Sequence, residues 1–167
     1  MDGDLLLIMK ALSGARVRYL VVGGVAVVLH GHVRMTADLD LIVGLEESNA
    51  RLAMQTFETL GFRARAPVAM STFADRPTRE SWIREKGLTV FSLWNPNMPL
   101  TEVDLFVDEP LDFDAAYSRA LHLPVAGLSI PVASIDDLIA LKKIAARDKD
   151  LLDIRVLEQI RNTRGGS

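Results

Sequence analysis

The chain has 167 residues, 49% hydrophobic and 25% charged, with a formal net charge of −3. That length suits one domain better than two, and that balance describes an ordinary globular protein and argues against an extended nonspecific nucleic-acid surface. Cysteine is absent, which excludes disulfides and thiolate metal sites; no run is long and apolar enough for a membrane span, and Met1 to Lys10 lacks a signal-peptide pattern, so a cytoplasmic protein with no membrane partner is expected.

Asp4 to Leu12 reads as a helix with Leu5, Ile8, Met9 and Leu12 on one side, stopping near Gly14. Arg18 to Val22 is the first expected strand, and Gly24 to His30 an apolar helix buried against the sheet. His30 and His32 flank Gly31 with a spacing that fits no zinc motif, which favours loop packing or a substrate contact. Glu46 to Leu60 is a second clear helix: Leu52, Met54, Phe57 and Leu60 form its apolar side, its first turn is acidic, and Gly61 follows at the stop position. A strand near Phe62 to Ala66 should return to the sheet.

The pattern is lost from Pro67 to Lys86, which reads as an irregular stretch, either an active-site wall or a mobile surface loop. Leu88 to Trp94 and Thr101 to Val107 are strands separated by the turn-rich Asn95-Pro96-Asn97-Met98-Pro99. Trp94 either caps the core or stacks on a base. Phe113 to Ala120 should be a helix and Leu128 to Pro131 a short strand. Ser134 can cap the last helical segment, with Asp137 at the reciprocal capping position. Projected at 100 degrees per residue, Ile135, Leu138, Ile139, Ala145 and Ala146 share a side with Lys142 in its middle, so this lysine either snorkels to the surface or is aimed into a cleft at an anion. Residues 162–167 should fray.

The chemistry concentrates between Tyr19 and Val43. Gly23-Gly24 closes one apolar run and opens the next, a turn where backbone could closely approach a phosphate. Beyond a loop holding Arg34 and Thr36, the period of two sets Asp38, Asp40 and Ile42 on one strand face. Downstream, Glu102, Asp104, Phe106 and Asp108 alternate with Val103, Leu105 and Val107, which supplies a third carboxylate. Paired carboxylates are either a solvated strand face or the ligands of a cation, and all-oxygen ligation beside phosphates suits Mg2+.

Gly23-Gly24, Asp38-Leu39-Asp40 and the later strand with Asp104 together resemble the signature of the nucleotidyltransferase superfamily typified by DNA polymerase beta. Arg34-Met35-Thr36-Ala37 makes the pattern similar to the small bacterial branch that holds the AbiEii-type toxins of type IV toxin-antitoxin systems and the antibiotic nucleotidyltransferases. Lys142, Arg147-Asp148-Lys149-Asp150 and Asp153 also resemble the C-terminal helices of the AbiEii group.

The resemblance implies an α/β (α+β) fold: a mixed central sheet flanked by helices, with residues 1–110 as the catalytic sheet core and 111–167 as a helical part closing the cleft. It implies an NTP substrate, two Mg2+ ions at Asp38 and Asp40, and an Asp104 that joins the second metal site or acts as base. Gly23 and Gly24 would hold the triphosphate, with Arg34, Thr36 and Lys142 completing the nucleotide set. The acceptor would be an RNA end, a protein hydroxyl or a small molecule such as an antibiotic, and the toxin branch adds an antitoxin partner. Gly24 stands where many members carry a serine whose hydroxyl contacts phosphate, and the chain is shorter than the full AbiEii-type toxins. The competing readings are a nucleotide-binding or regulatory protein of the same fold without turnover, and an oligomerising α/β domain whose acids coincide.

Overall fold

The computed structural model describes residues 3–36 and 38–165. Seven strands form its centre: β1 (Tyr19–Val21), β2 (Leu39–Val43), β3 (Arg63–Ala64), β4 (Val90–Trp94), β5 (Val103–Phe106), β6 (Leu121–Val125) and β7 (Leu128–Val132). They make one mixed sheet in the order β3-β4-β5-β2-β1-β7-β6. The β2–β5 and β1–β7 pairs are parallel and the others antiparallel. The helices are α1 (Gly3–Gly14), α2 (Gly23–Leu29), α3 (Glu47–Thr59), α4 (Arg76–Lys86), α5 (Phe113–Ser118), α6 (Ile135–Ala145) and α7 (Asp148–Gly165). Among the described residues no helix is long and apolar enough to cross a membrane.

Strand alternation divides the two faces. Leu39 pairs with Val103 and Leu41 with Leu105, and these four side chains are fully buried with Ala53 and Phe57 of α3. Between them, Asp40 pairs with Asp104 and both point to the opposite face. That face is bordered by α2, which packs on β2 and α6, and by α7 packed on α6. The same alternation that builds the core therefore delivers two carboxylates side by side.

Three expectations need correction. Residues 67–86 are not irregular throughout: a 3-10 turn (Met70–Ala74) leads into α4. Pro77 lies in the first turn of α4, where a missing N–H costs nothing, and the Asp75 carboxylate caps the helix by accepting from the Thr78 N–H at 2.9 Å. Arg79 and Trp82, three apart, turn inward, and Trp82 stacks on Phe91 of β4 at 5.2 Å. Second, the short strand expected at Leu128 to Pro131 is the inner half of a β6–β7 hairpin, whose turn at Ala126-Gly127 has two positive φ angles. Its outer strand is largely exposed and carries Pro124, as an edge strand allows. Third, the last segment is two helices parted at Ala146 (φ 49°), and α7 continues to Gly165 where fraying was expected; residues 166 and 167 lie outside the described residues, as does Ala37.

Candidate active site

Gly23 begins the site. Its φ of +62° is left-handed, and a β-carbon there would lie 1.9 Å from Oδ2 of Asp40, so only glycine lets the turn after β1 meet the carboxylate on β2. The next amide, Gly24 N–H, donates to the Asp40 carboxylate. Burial, followed by the charge of the neighbouring Asp104, nevertheless pushes Asp40 up to about 6. Burial also raises Asp104, opposed by a hydrogen bond that the Ser92 hydroxyl donates to its Oδ1 at 2.5 Å. Asp38, exposed and just ahead of β2, adds a weaker repulsion to both.

The loop after α2 folds back over the glycine turn. A β-carbon on Gly24 would lie 2.5 Å from Thr36 Oγ1 and 2.7 Å from Arg34 Nη2. The space a serine at 24 would need is thus already taken by a threonine hydroxyl and a guanidinium, which gives a physical reason for the glycine.

Lys142 does not snorkel. It is buried, and its Nζ donates to Asp153 at 2.6 Å and to Asp150 at 3.4 Å, both carboxylates on α7 and both buried. Asp153 also receives Arg34 Nη2 at 3.1 Å, and Asp150 receives Arg147 Nε at 2.7 Å. Three cations and two aspartates therefore tie the Arg34 loop, α6 and α7 together. Arg34 Nε is buried and has no partner among the described residues. Lys142, Arg147, Asp150, Asp40, Phe106 and Gly23 line a pocket of about 80 Å³, well below the roughly 300–1,000 Å³ of small-molecule sites. A larger cavity of about 340 Å³ lies among Glu46, Arg79 and Asp108, past the far ends of β2 and β5 from Asp40 and Asp104.

Asp40, Asp104, Gly23, Gly24, Arg34, Thr36 and Lys142 thus gather on one side of the sheet, and Asp38 stands at its margin. Among the described residues no three acidic or histidine side chains enclose a cation by themselves. The donor chemistry still fits Mg2+, which usually binds through one or two carboxylates plus substrate phosphates and water rather than in an all-protein cage. Two adjacent desolvated carboxylates, one of them lifted to about 6, are the electrostatic arrangement such an ion would relieve. His30 takes no part: it is buried, its Nε2 bonded to the Ala133 carbonyl at 2.8 Å and its carbonyl accepting from Arg164. Trp94 stands partly exposed at the end of β4 and does not cap the core.

Ser92 escaped the sequence reading. A serine in an apolar strand carries no signal by itself, and it becomes visible only once β4 is placed with Ser92 opposite Asp104.

Residues 4–163 match the family model described as "Nucleotidyltransferase of unknown function (DUF6036)". The chain belongs to that family. None of the curated proteins compared with this DUF6036 nucleotidyltransferase matches it. Solved structures do share its fold. The lincosamide antibiotic adenylyltransferase LnuA, lincomycin-bound, superimposes with a TM-score of 0.62 at 15% identity, over 96% of this chain and 98% of that one. ANT(2")-Ia in complex with adenylyl-2"-tobramycin gives 0.61 at 15% identity, over 98% and 94%. An antigenic nucleotidyltransferase-like protein from Paracoccidioides brasiliensis gives 0.57 at 16% identity, over 94% and 77%. At these identities the likeness establishes the fold of the DUF6036 chain, and the family match establishes the enzyme class.

Proposed function

We propose that this nucleotidyltransferase moves a nucleoside monophosphate from an NTP to an acceptor hydroxyl in the cytoplasm, releasing pyrophosphate, with Mg2+ held by Asp40 and Asp104 and the exposed Asp38 completing the donor set. The observation that carries it is the pairing of Asp40 with Asp104 across β2 and β5, directly beneath the Gly23 turn. The chemistry supplied by bound Mg2+, two ions in all, is neutralisation of the triphosphate and a lowered pKa for the acceptor hydroxyl.

The chain's own groups do the rest. The Gly24 N–H donates to Asp40; with Asp40 holding the metal, that amide would be free to donate to a phosphate oxygen. Thr36 Oγ1 and Arg34 Nη2 converge on the same turn and add a hydroxyl and a cation where a serine side chain would have reached. Lys142 lines the pocket that Asp40 and Gly23 border, and its charge favours pyrophosphate as it leaves. Asp104 has one oxygen engaged by Ser92 and the other available to the metal or to the acceptor proton. At about 80 Å³ the pocket is below the size of small-molecule sites, so the nucleoside and the acceptor would lie outside it.

Transfer of label from an α-labelled NTP, with wild type compared against Asp40→Asn and Asp104→Asn, tests this reading. Both variants should lose turnover by orders of magnitude while remaining folded, and full activity in either would remove the metal assignment. Asp104→Asn should keep more NTP affinity than Asp40→Asn if Asp104 serves chiefly the acceptor.

The finer reading is a toxin of a type IV pair with an antitoxin partner. It is supported by the ion-paired Lys142, Arg147, Asp150 and Asp153, the feature on which the AbiEii resemblance of the C-terminal helices rests. Induced expression of the wild type should then arrest growth and expression of Asp40→Asn should not; equal growth of the two strains would remove the toxin role.

A further inference from the structure

The third carboxylate does not stand alone on its strand. β4 and β5 run antiparallel with Ser92 directly opposite Asp104, and on the other side Asp40 lies opposite Asp104 across the β2–β5 pair. Side chains at paired positions share a face. Ser92, Asp104 and Asp40 therefore form a transverse row on the sheet. The Arg65 amide extends the row by donating to the Ser92 carbonyl at 2.9 Å, so β4 is pinned on both sides at this level. The Ser92 hydroxyl spends its one proton on Asp104 Oδ1 at 2.5 Å, within the short range of O–H···O− bonds.

We propose that Ser92 is a positioning residue for nucleotidyl transfer: it fixes the rotation of the Asp104 carboxylate so that Oδ1 is occupied and Oδ2 is the oxygen presented to the metal or the acceptor. The inference rests on the transferase reading above. The Asp104 carboxylate turns about χ2, a broad and roughly two-fold torsion, and has two equivalent oxygens, so repulsion from Asp40 on one side would turn it away from the centre. A donor on the far side of the row, on a strand whose register is set by backbone bonds, removes that freedom at no cost during the reaction. Alanine at this position would leave the strand intact and the carboxylate unanchored. Threonine carries the same hydroxyl and favours a strand, so it should restore the bond.

Two readouts test this on the full chain. In protein carrying 13C at aspartate carboxyls, with the Asp104 signal assigned by its loss in Asp104→Asn, Ser92→Ala should move that signal and Ser92→Thr should return it. In pyrophosphate release from NTP with Mg2+ and a cell extract as acceptor source, Ser92→Ala should lower kcat by about tenfold to a hundredfold with KM for NTP within about twofold, and Ser92→Thr should recover most of the rate. A merely structural serine would lower thermal stability while leaving kcat unchanged, and that result, or an equal loss in the alanine and threonine variants, would overturn the proposal. No pyrophosphate from the wild type, with the carboxyl signal still following the hydroxyl, would refute the transferase reading and leave the Ser92–Asp104 bond as an anchoring contact without a reaction to serve.

Discussion

Replacing Asp40 by Asn should stabilise the free protein, by an amount that grows with pH. Burial, with Asp104 alongside, holds this carboxyl at about 6 against an ordinary 3.8. Because the folded value is the higher one, the folded state binds more protons than the unfolded chain between the two, and stability falls as pH rises through that window. The charged form then costs the fold about 3 kcal/mol above pH 7 and about half of that at pH 5. Asn keeps the shape, presents an oxygen to the Gly24 N–H and carries no charge at either pH. Melting in EDTA at pH 5 and pH 8 measures the difference: at about 2–4 °C per kcal/mol for a chain of this size, the Asn variant should melt a few degrees above wild type at pH 5 and about twice as far above it at pH 8. Saturating Mg2+ with a nonhydrolysable NTP should narrow the gap, since the wild type alone gains a well-placed anionic ligand. A gap that does not change with pH, or a variant less stable at pH 8, would refute the reasoning that the fold holds Asp40 in an unfavourable state.

Gly23→Ala should cost about 1–3 kcal/mol from the left-handed backbone alone, and displace the Asp40 carboxylate that its β-carbon would overlap; circular-dichroism melts and Mg2+-dependent nucleotide titration should show both losses together. Lys142→Met should destabilise by about 3 kcal/mol in urea titration, because it leaves two buried aspartates with only Arg34 and Arg147 to compensate them; adding Asp153→Asn should recover part of the loss. A gain of stability in the single variant would mean that the lysine is dispensable to the ion cluster.

The strand and helix pattern was legible where periodicity met its own stop signals. α3 ends before Gly61 as its spacing says, and β2 and β5 alternate as their residues require. The alternation put Asp40 and Asp104 on the faces opposite Leu39, Leu41, Val103 and Leu105; that the two meet needed the β2–β5 register as well. What periodicity could not show is partnership over distance. The two buried aspartates that hold Lys142 lie on a different helix, so a cation inside an apolar stripe looked like a choice between solvent and substrate. α4 was hidden for another reason: it is strongly charged, and its inward side is Arg79, Trp82 and the partly buried Ile83, too sparse to register as a stripe. Ser92 needed the β4–β5 register, and β6 needed to be recognised as an edge where His122 and Pro124 are tolerated.

The central claim is that the carboxylates meeting under the Gly23 turn perform metal-dependent nucleotidyl transfer. The most direct measurement incubates the protein with each α-labelled NTP, Mg2+ and a cell extract containing tRNA, then follows label into RNA, protein and small molecules, in wild type and in Asp40→Asn. Wild type should give labelled acceptor and an equal amount of pyrophosphate, both abolished by EDTA and by the substitution. Label transfer that survives both EDTA and Asp40→Asn would contradict that claim.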